Sequence, residues 1–522
     1  MGKILEKRLE SISNSETSNI FCGGIKGIEK ESLRVRDDGR LSLRPHPDKL
    51  GSALTNKFIT TDFSEALLEF VTPAFSDTWE VMSLLCDIHQ FTYENIDEEL
   101  LWVTSMPCRL NRNNKIPLAR YGTSNVGTMK TIYRNGLGLR YGRNMQAIAG
   151  IHFNYSLPED FWPVFQDIEK NNDQLTSFRS ASYMSMIRNF KRYGWLILYL
   201  FGASPAICKS FIEENLSDMP LLDDNTFYQP YGTSLRMSDL GYTSTVQSNI
   251  NISLNHLDHY IEDLKAAISE PENSYSEFGL KKNNTYQQLS LNKLQIENEY
   301  YSPVRPKRVA ASGERPTTAL DRGGVEYVEI RSLDLNVFDP VGINQETMRF
   351  VETFLIFCLL EDSPLMDQAT NKESMENHTD TANYGRKSNF SLSLDKKEVT
   401  LKDWALDLMK SILQVAYSID QEKNCSGYVK AVESQIELIK EPDRTPSARL
   451  LSELNDSGLS FSDYGLMLAK ERKDYFASLM PLDVSKNNLF KKEASASFQR
   501  QFEMESSDDL SFDDYLENYF KS

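Results

Sequence analysis

The sequence predicts an α+β protein built around one mostly antiparallel sheet, with helices covering the sheet's outer face. Two observations carry this prediction. Six short segments alternate polar and apolar residues, and long helical or irregular segments separate them. Several of these strands also have one polar or charged face, so we expect a bowl that holds a ligand. Length alone would allow two to four domains in 522 residues. We assign a single domain, with the site's sheet within 24–339 and a mainly helical region over 340–522.

The six predicted strands share the two-residue period that places alternate side chains on opposite faces. In chain order they are residues 27–36, 67–71, 146–157, 249–254, 294–301 and 325–333. The first strand runs into Asp37-Asp38-Gly39, which is typical of a hairpin turn, and Pro73 stops the second.

The predicted helices have apolar residues at helical spacing or are continuously apolar. They are residues 3–13, 77–96 (opened by a capping box at Asp77), 195–201, 343–361 and 401–419. The polar stretch 366–398 predicts a loop or excursion. The acidic end, 503–522, predicts a packed or frayed surface helix without chemistry; a partner-binding tail is the alternative.

Charge and cysteine usage exclude several classes of protein. The net charge of −18 argues against general nucleic-acid binding, although a small basic pocket for a phosphorylated ligand remains compatible with it. The six cysteines are scattered without a C-x-x-C pair, which favours reduced thiols in a cytosolic protein. The N-terminus lacks an apolar signal core, and the apolar segment 195–201 is far shorter than the ~20 residues that span a bilayer. We therefore expect a cytoplasmic protein without membrane attachment.

Two predicted strands place charge where a buried strand would be apolar. Glu29 and Glu31 share one face of the first strand, and Glu329 and Arg331 share one face of the last. Neighbouring carboxylates on a partly apolar face repel one another and lose hydration, and a bound cation would remove both penalties. A solvated sheet face is the alternative, but the pattern recurs in several strands.

These side chains suggest a magnesium or manganese site, which needs several hard oxygen ligands close together. The candidate ligands, on strands or at a strand's edge, are Glu29, Glu31, Asp62, Glu69, His152 and Glu329. A lone histidine is more often structural than a ligand, but here carboxylates accompany it.

A second group of residues is cationic and suits a triphosphate. Arg305, Lys307 and Arg308 lie in a proline-restricted segment directly after a predicted strand, and Arg331 shares a face with Glu329. An ordinary solvated basic loop is the alternative for the first three, and a simple salt bridge for Arg331. Loops rich in glycine, hydroxyl and amide groups, at 121–127, 133–136 and 234–242, would position small polar substrates.

Together these residues resemble the glutamate–cysteine ligase (γ-glutamylcysteine synthetase) family of the proteobacterial type, from about Gly24 to Asp339. The motifs occur in the family's order, and the resemblance fades beyond about residue 365. They are GIEKESLRV (27–35), TTDFSEALLEF (60–70), YGTSN (121–125), GIHFNYSLP (150–158), FGASPA (201–206), SPVRPKR (302–308) and GGVEYVEIRSLD (323–334).

The resemblance implies a glutamine-synthetase-like ligase fold, with a curved sheet forming a cup, and a role for each matching residue. The candidate metal ligands above match the family's ligands, and Arg331 matches its phosphate-facing catalytic arginine. Arg236 matches the arginine that holds the glutamate carboxylate. The cysteine-pocket wall matches Phe63, Tyr133, Tyr242 and Tyr301. We also assign Arg134 and Gln146 to substrate binding; the placement of Arg305, Lys307 and Arg308 near ATP rests on charge alone.

The implied activity is ATP-dependent joining of the γ-carboxylate of L-glutamate to the amine of L-cysteine. It passes through a γ-glutamyl phosphate and is the first step of glutathione biosynthesis. The resemblance also implies two or three bound Mg²⁺ ions, or Mn²⁺ in their place. We expect the protein to be a monomer. Another carboxylate–amine ligase is one alternative, and a non-catalytic metal- or nucleotide-binding module is another.

Overall fold

The computed structural model describes residues 2–14, 20–110, 116–212, 219–240, 245–311 and 313–521. Within these ranges, no helix is both long and apolar enough to cross a membrane.

The strands of the described residues form one seven-stranded sheet and three smaller ones. They are β1 Ile25–Val35, β2 Ile59–Thr61, β3 Leu67–Val71, β4 Leu100–Leu101, β5 Ile151–Ser156, β6 Ala206–Cys208, β7 Leu221–Asp223, β8 Thr226–Tyr228, β9 Lys281–Lys282, β10 Thr285–Tyr286, β11 Val304–Lys307, β12 Tyr327–Leu333, β13 Ser391–Leu394 and β14 Lys397–Thr400. The large sheet has the order β11-β12-β5-β1-β3-β2, with β4 beside the end of β1, and every pair is antiparallel.

Helices occupy most of the remaining described chain. They are α1 Lys3–Ser13, α2 Thr78–Asn95, α3 Asn125–Tyr141, α4 Phe161–Ile168, α5 Leu175–Tyr193, α6 Trp195–Phe201, α7 Thr245–Ser248, α8 Leu257–Ala267, α9 Pro316–Gly323, α10 Gln345–Leu360, α11 Gln368–Tyr384, α12 Leu401–Lys423, α13 Gly427–Lys440, α14 Pro446–Ser457, α15 Phe461–Ser478, α16 Val484–Ser507 and α17 Phe512–Lys521. Short 3₁₀ turns lie at Asp48–Leu50, Met145–Ala147, Leu235–Met237, Asn273–Phe278, Glu297–Glu299 and Pro442–Arg444.

The register of the large sheet separates its two faces. Glu31 lies opposite Glu69, and Glu29 lies opposite His152, so acidic side chains from β1 and β3 and the imidazole of β5 meet on one face. The alternate residues of β1 point the other way, where Ile28 is fully buried and Lys26 bonds to Glu352 of α10. The polar face is therefore the side on which a site can form.

The fully buried ion pair between Lys26 and Glu352 joins the sheet to α10. Lys26 Nζ lies 2.7 Å from Glu352 Oε2, and both side chains are fully buried. The hydroxyl of Tyr428 also donates to Glu352 Oε2 at 2.8 Å. Burial lowers the pKa of Lys26, and the Glu352 carboxylate opposes that shift. Since each charge is desolvated, the pair depends on both partners being present.

We expect Lys26→Met to lower the free energy of unfolding by about 3–5 kcal/mol, because Glu352 would become a buried charge without its main partner. Denaturant-induced unfolding of the purified variant measures this change. Lys26→Met combined with Glu352→Leu should recover much of the loss. A single variant within about 1 kcal/mol of the unmodified protein would contradict this account of the pair.

Most predicted elements are confirmed. Four of the six predicted strands appear as β1, β3, β5 and β12, and the predicted helices appear as α1, α2, α6, α10 and α12. Asp77 caps α2 by accepting a hydrogen bond from the Trp79 N–H at 2.6 Å. The turn after β1 is present, with Gly39 at φ +76°, which favours glycine.

The predicted strands over 249–254 and 294–301 are wrong. In the first, side chains satisfy the backbone: the Ser253 N–H donates to Asp263, and Arg188 donates to the carbonyl of Leu254. In the second, the backbone forms the 3₁₀ turn Glu297–Glu299. Its alternation comes from buried polar side chains rather than from a sheet face.

The prediction of a loop over 366–398 is also wrong, because α11 and the hairpin of β13 and β14 occupy it. The helix buries Ser374, Asn377, His378 and Thr381 instead of an apolar stripe. Because the buried face of this helix is polar, the sequence lacks the apolar residues at helical spacing from which a helix is predicted.

Candidate active site

A cavity of about 660 Å³ opens on the polar face of the large sheet. Strands β1, β3, β5, β11 and β12 supply its charged floor, and the helices α3, α9 and α17 supply side walls. Among the predicted site residues, those that line it are Glu29, Glu31, Asp62, Glu69, Tyr133, Arg134, Gln146, His152, Arg236, Tyr301, Arg305, Lys307, Arg308, Glu329 and Arg331.

Glu29, His152 and Glu329 form the tightest group of potential metal ligands in the described part of the chain. One ligand atom from each residue lies within 4.8 Å of the others. His152 Nδ1 is 3.0 Å from Glu29 Oε2 and 3.7 Å from Glu329 Oε1, and Asn154 donates to Glu29 Oε1 at 2.9 Å. Three adjacent strands hold these side chains, so the group is rigidly positioned.

The remaining candidate ligands line the same cavity beside this group. Glu31 Oε1 lies 4.0 Å from His152 Nε2, and Glu31 Oε2 accepts a hydrogen bond from the Gly150 N–H at 2.6 Å. Burial raises the pKa of Glu69 well above its ordinary value, and the carboxylates of Glu29, Asp62 and Glu31 raise it further. Burial also raises the pKa of Glu31. These carboxylates repel one another, which is the condition that a bound cation relieves.

Glu329 has two cationic neighbours at the other end of the group. Arg331 Nη1 lies 3.2 Å from Glu329 Oε1, and Lys307 Nζ lies 3.6 Å from Oε2. Burial alone would raise the pKa of Glu329, but Lys307 and Arg331 hold it well below its ordinary value. Oε2 is buried without a hydrogen bond from the described residues, so it is still able to act as a ligand.

The predicted ATP-binding cations differ in how far they are already engaged. Arg305 and Lys307 lie in the strand β11, and Arg308 follows its end, so most of this segment is a strand rather than a loop after one. Arg305 lies opposite Glu329, and its guanidinium donates to the backbone carbonyls of Asn298 and Tyr300. Arg308 donates to the carbonyls of Gly323 and Gly324 at 2.6 and 3.0 Å, which satisfies the end of α9. Lys307 is the most available of the three, with its ammonium facing Glu329.

Arg236 lines the cavity and is almost fully buried. Its Nη2 donates to the Arg331 carbonyl at 2.7 Å, and its Nη1 lies 3.8 Å from Asp334 Oδ1. Asp334 is in turn fixed by hydrogen bonds from the Ala203 N–H and the Ser204 hydroxyl. A guanidinium held in this way presents a fixed donor to an anionic substrate.

Other predicted substrate residues line a side wall. Arg134 Nη2 lies 3.8 Å from Asp62 Oδ1, and the guanidinium stacks 4.7 Å from the centre of the Tyr121 ring. Gln146 lies in a 3₁₀ turn rather than in the predicted strand. Phe63 is buried in the core and is not among the lining residues, so its proposed contact with cysteine lacks support. Tyr242 lies outside the described residues.

The predicted ligand loops are partly helical. Tyr133 to Gly136 belong to α3, which begins at Asn125, so the loop prediction for 133–136 is wrong. Gly136 is needed for close approach, because a Cβ there would lie 2.1 Å from Gln295 Oε1. Loop 234–242 is described to residue 240 and contains the turn Leu235–Met237.

Sequence reasoning missed several lining residues. Lys130 lies one turn before Arg134 on α3, and burial lowers its pKa to about 8. Recognising α3 would have found it, since residues four apart share a helix face. Tyr515 and Tyr519 come from α17, for which the sequence predicted no chemistry. The expected location of the terminal helix is therefore corrected: it borders the cavity.

The six free cysteines lie away from the described lining residues. Cys22, the one closest in sequence to Glu29, has Glu422, Lys423 and Glu352 as its charged neighbours, on the other side of the sheet. Burial raises the pKa of Cys108 and Cys358, which is the reverse of what an activated nucleophile needs.

Replacing all six cysteines by serine or alanine is therefore expected to keep turnover within about tenfold of the unmodified protein. Steady-state rates, corrected for the folded fraction, measure this. A glutamyl group trapped on a cysteine and detected by mass spectrometry would contradict it.

Comparison with known proteins identifies the family. The sequence model of the family described as "Glutamate-cysteine ligase" matches residues 9–381. The glutamate–cysteine ligase of Alcanivorax borkumensis is 45% identical over 99% of both chains, and that of Janthinobacterium sp. is 44% identical over 99% of this chain and 98% of the other.

One solved structure indicates the same family, and a second shares the fold. A crystal structure of glutamate–cysteine ligase from Francisella tularensis in complex with AMP has a TM-score of 0.91 and 36% identity, covering 97% of this chain and 99% of that one. A bifunctional glutathione synthetase from Pasteurella multocida shares the fold, with a TM-score of 0.72 and 24% identity, over 91% of this chain and 56% of the other. The resemblance inferred from the motifs is confirmed: the chain belongs to the glutamate–cysteine ligase family of ATP-dependent ligases.

Proposed function

We propose that the cavity joins the γ-carboxylate of L-glutamate to the amine of L-cysteine at the expense of ATP, giving γ-glutamylcysteine, ADP and phosphate. The observation that carries this proposal is the convergence of Glu29, His152 and Glu329 beside Arg331 in one cavity. Forming an amide from a carboxylate in water is uphill, so the carboxylate needs activation. Family membership supports this as the first step of glutathione biosynthesis.

The chemistry has two steps. An oxygen of glutamate's γ-carboxylate attacks the γ-phosphorus of ATP, ADP leaves, and a γ-glutamyl phosphate forms. The cysteine amine then attacks its carbonyl carbon, and phosphate leaves with the transferred oxygen. Little of this requires covalent help from the protein, which mainly orients substrates and offsets charge.

The acidic group fits a divalent cation. Glu29, Glu31, Asp62, Glu69, His152 and Glu329 are the residues that would hold two or three Mg²⁺ ions. Two observations support this assignment: Oε2 of Glu329 is buried and accepts no hydrogen bond from the described residues, and the pKa of Glu69 is raised. The carboxylate oxygens of this group also suit Mn²⁺. When bound, such ions would neutralise phosphate oxygens and orient them.

Arg331 is the residue we assign to the transferred phosphoryl group. It lies in the cavity, and its Nε is buried without a hydrogen-bond partner among the described residues. A planar guanidinium offers two donors to two phosphoryl oxygens. Lys307 would face the neighbouring phosphates. Arg305 and Arg308 would also lie near ATP, but backbone carbonyl groups already accept hydrogen bonds from their guanidinium groups.

Substrate carboxylates and the cysteine side chain would occupy the remaining wall. Arg236 is the candidate for the glutamate carboxylate, with Arg134 and Gln146 close to the substrates. Tyr133 and Tyr301 would border cysteine, together with Tyr242, and Phe63 would act only from behind the wall. The assignments that their position on the cavity supports are those of Arg236, Arg134, Gln146, Tyr133 and Tyr301.

Several wider features belong to the same proposal. The large sheet would act as a curved cup of the glutamine-synthetase-like type, within a single catalytic domain whose active-site sheet lies in 24–339. The protein would work as a monomer in the cytoplasm. The antiparallel order of the seven strands and the location of the acidic residues on one face support the cup.

An ADP-release assay tests the proposed function. Purified protein should release ADP from ATP only when glutamate, cysteine and Mg²⁺ are all present, in equal amount to γ-glutamylcysteine. ADP release with a different amine, and none with cysteine, would indicate another ligase; nucleotide binding without turnover would indicate a binding module.

A further inference from the structure

The C-terminal helix α17 forms part of the cavity wall. Tyr515 and Tyr519 lie four residues apart on this helix, so they share one face, and both line the cavity. Leu516 packs with Met129, Leu289 and Ile296 in an apolar cluster separate from the main core. Residues 512–521 lie beyond the 9–381 region that defines the family match.

Polar contacts fix the helix against α3 and the hairpin of β9 and β10. The Asn125 side chain donates to the Leu510 carbonyl at 3.1 Å. Asp513 accepts hydrogen bonds from Lys281 at 2.9 Å and from the Tyr286 hydroxyl at 2.7 Å. These contacts place the two tyrosines at one defined position rather than at the end of a frayed tail.

The wall around these tyrosines is apolar, unlike the charged floor of the cavity. Met129 and Ile296 pack with the two tyrosines, and Leu320 lines the same cavity. Beyond the end of β11 at Lys307, the chain continues through Arg308 to Val309, which also lines the cavity. Charged residues near Tyr519 are Glu297 and Arg315, which lie beside the start of α9. The same cavity therefore holds this apolar wall and Lys307, the cation that we assign to the phosphates.

Among the three substrates, only the base of ATP matches this apolar wall. Glutamate and cysteine are small and zwitterionic, whereas ATP has a flat heteroaromatic base attached to its phosphates. Aromatic side chains bind bases through their faces with little dependence on polar pairing. A base on this wall would leave the triphosphate directed toward Lys307 and Arg331.

We propose that Tyr515 and Tyr519 form the adenine-binding wall of the site, so that α17 determines nucleotide affinity. This inference rests on the proposed function, because it places ATP in the same cavity. It predicts that the two tyrosines affect nucleotide binding and not the binding of glutamate or cysteine.

The test compares Tyr515→Ala/Tyr519→Ala with Tyr515→Phe/Tyr519→Phe in the full chain, with Tyr417→Ala, an exposed tyrosine on α12, as the control. Calorimetry with ADP alone should give a Kd raised roughly 5- to 100-fold in the alanine variant. The phenylalanine variant, which keeps both rings, should bind within about threefold of the unmodified protein. The KM values for glutamate and cysteine should stay within about twofold.

Unchanged ADP affinity in the folded alanine variant, or a KM increase confined to cysteine, would overturn the inference. Hydrogen exchange on the unmodified protein provides a measurement that does not depend on variants. Residues 512–521 should exchange more slowly when ADP is bound, and no change would also overturn it. Because ADP binding is measured without turnover, failure of the ligase assay would not be confused with failure of this proposal.

Discussion

Glu329→Gln and Glu29→Gln are each expected to lower kcat by about 10³-fold or more, equivalent to about 4 kcal/mol of barrier. Both carboxylates lie within the group formed with His152, and both are candidate metal ligands. A neutral amide retains the size of the side chain but loses the charge that holds a divalent ion. Activity measured over a range of Mg²⁺ concentrations should also show a higher requirement for the metal.

The protein should remain folded in both variants, because glutamine keeps the size of the side chain and its amide oxygen still accepts hydrogen bonds from the neighbouring groups. Glu326→Gln is the matched control: it lies three residues from Glu329, and it is not among the lining residues. Near-normal activity of either active-site variant at limiting Mg²⁺ would show that the metal assignment is wrong.

Arg331→Lys should lower kcat about 10²- to 10³-fold while changing the KM for ATP by only a few fold. Lysine keeps the positive charge beside Glu329 but lacks the planar pair of donors. An interaction made mainly in the transition state appears in kcat rather than in KM. Initial rates over a matrix of ATP and glutamate concentrations separate the two parameters.

Arg179→Lys is the control for this exchange. Arg179 forms an ion pair with Glu159, which lies on the surface, and Arg179 is not among the residues that line the cavity. This variant should leave both parameters unchanged. If Arg331→Lys raised the KM for ATP and left kcat intact, Arg331 would be a ground-state binding residue.

The charged floor of the site could be predicted because strand alternation fixes which side chains share a face. Glu29 with Glu31 and Glu329 with Arg331 were assigned to common faces from the two-residue period alone, and the sheet register agrees. Which strands would be neighbours could not be read from that period. The meeting of β1, β5 and β12 depends on contacts between residues more than 100 positions apart.

Two of the errors, over 294–301 and 366–398, have a common physical cause, which is the burial of polar groups. Gln295 and Glu297 alternate with the apolar residues Leu294 and Ile296, yet both are buried. The guanidinium of Arg315, for example, donates to Glu297 at 2.8 and 2.9 Å. Such partners are distant in sequence, so the alternation falsely indicated a strand. The sequence did not predict helix α3 because Gly136 lowers the helix propensity of this segment. The glycine allows the side chain of Gln295 to pack closely against the helix.

Transfer of oxygen from glutamate to phosphate tests the central mechanism most directly. With ¹⁸O in both oxygens of the glutamate γ-carboxylate, the account predicts one labelled oxygen in the phosphate for each γ-glutamylcysteine formed, with ADP as the nucleotide product. Mass spectrometry of the phosphate and chromatography of the nucleotides measure both outcomes. Unlabelled phosphate, or release of AMP and pyrophosphate, would contradict activation through a γ-glutamyl phosphate.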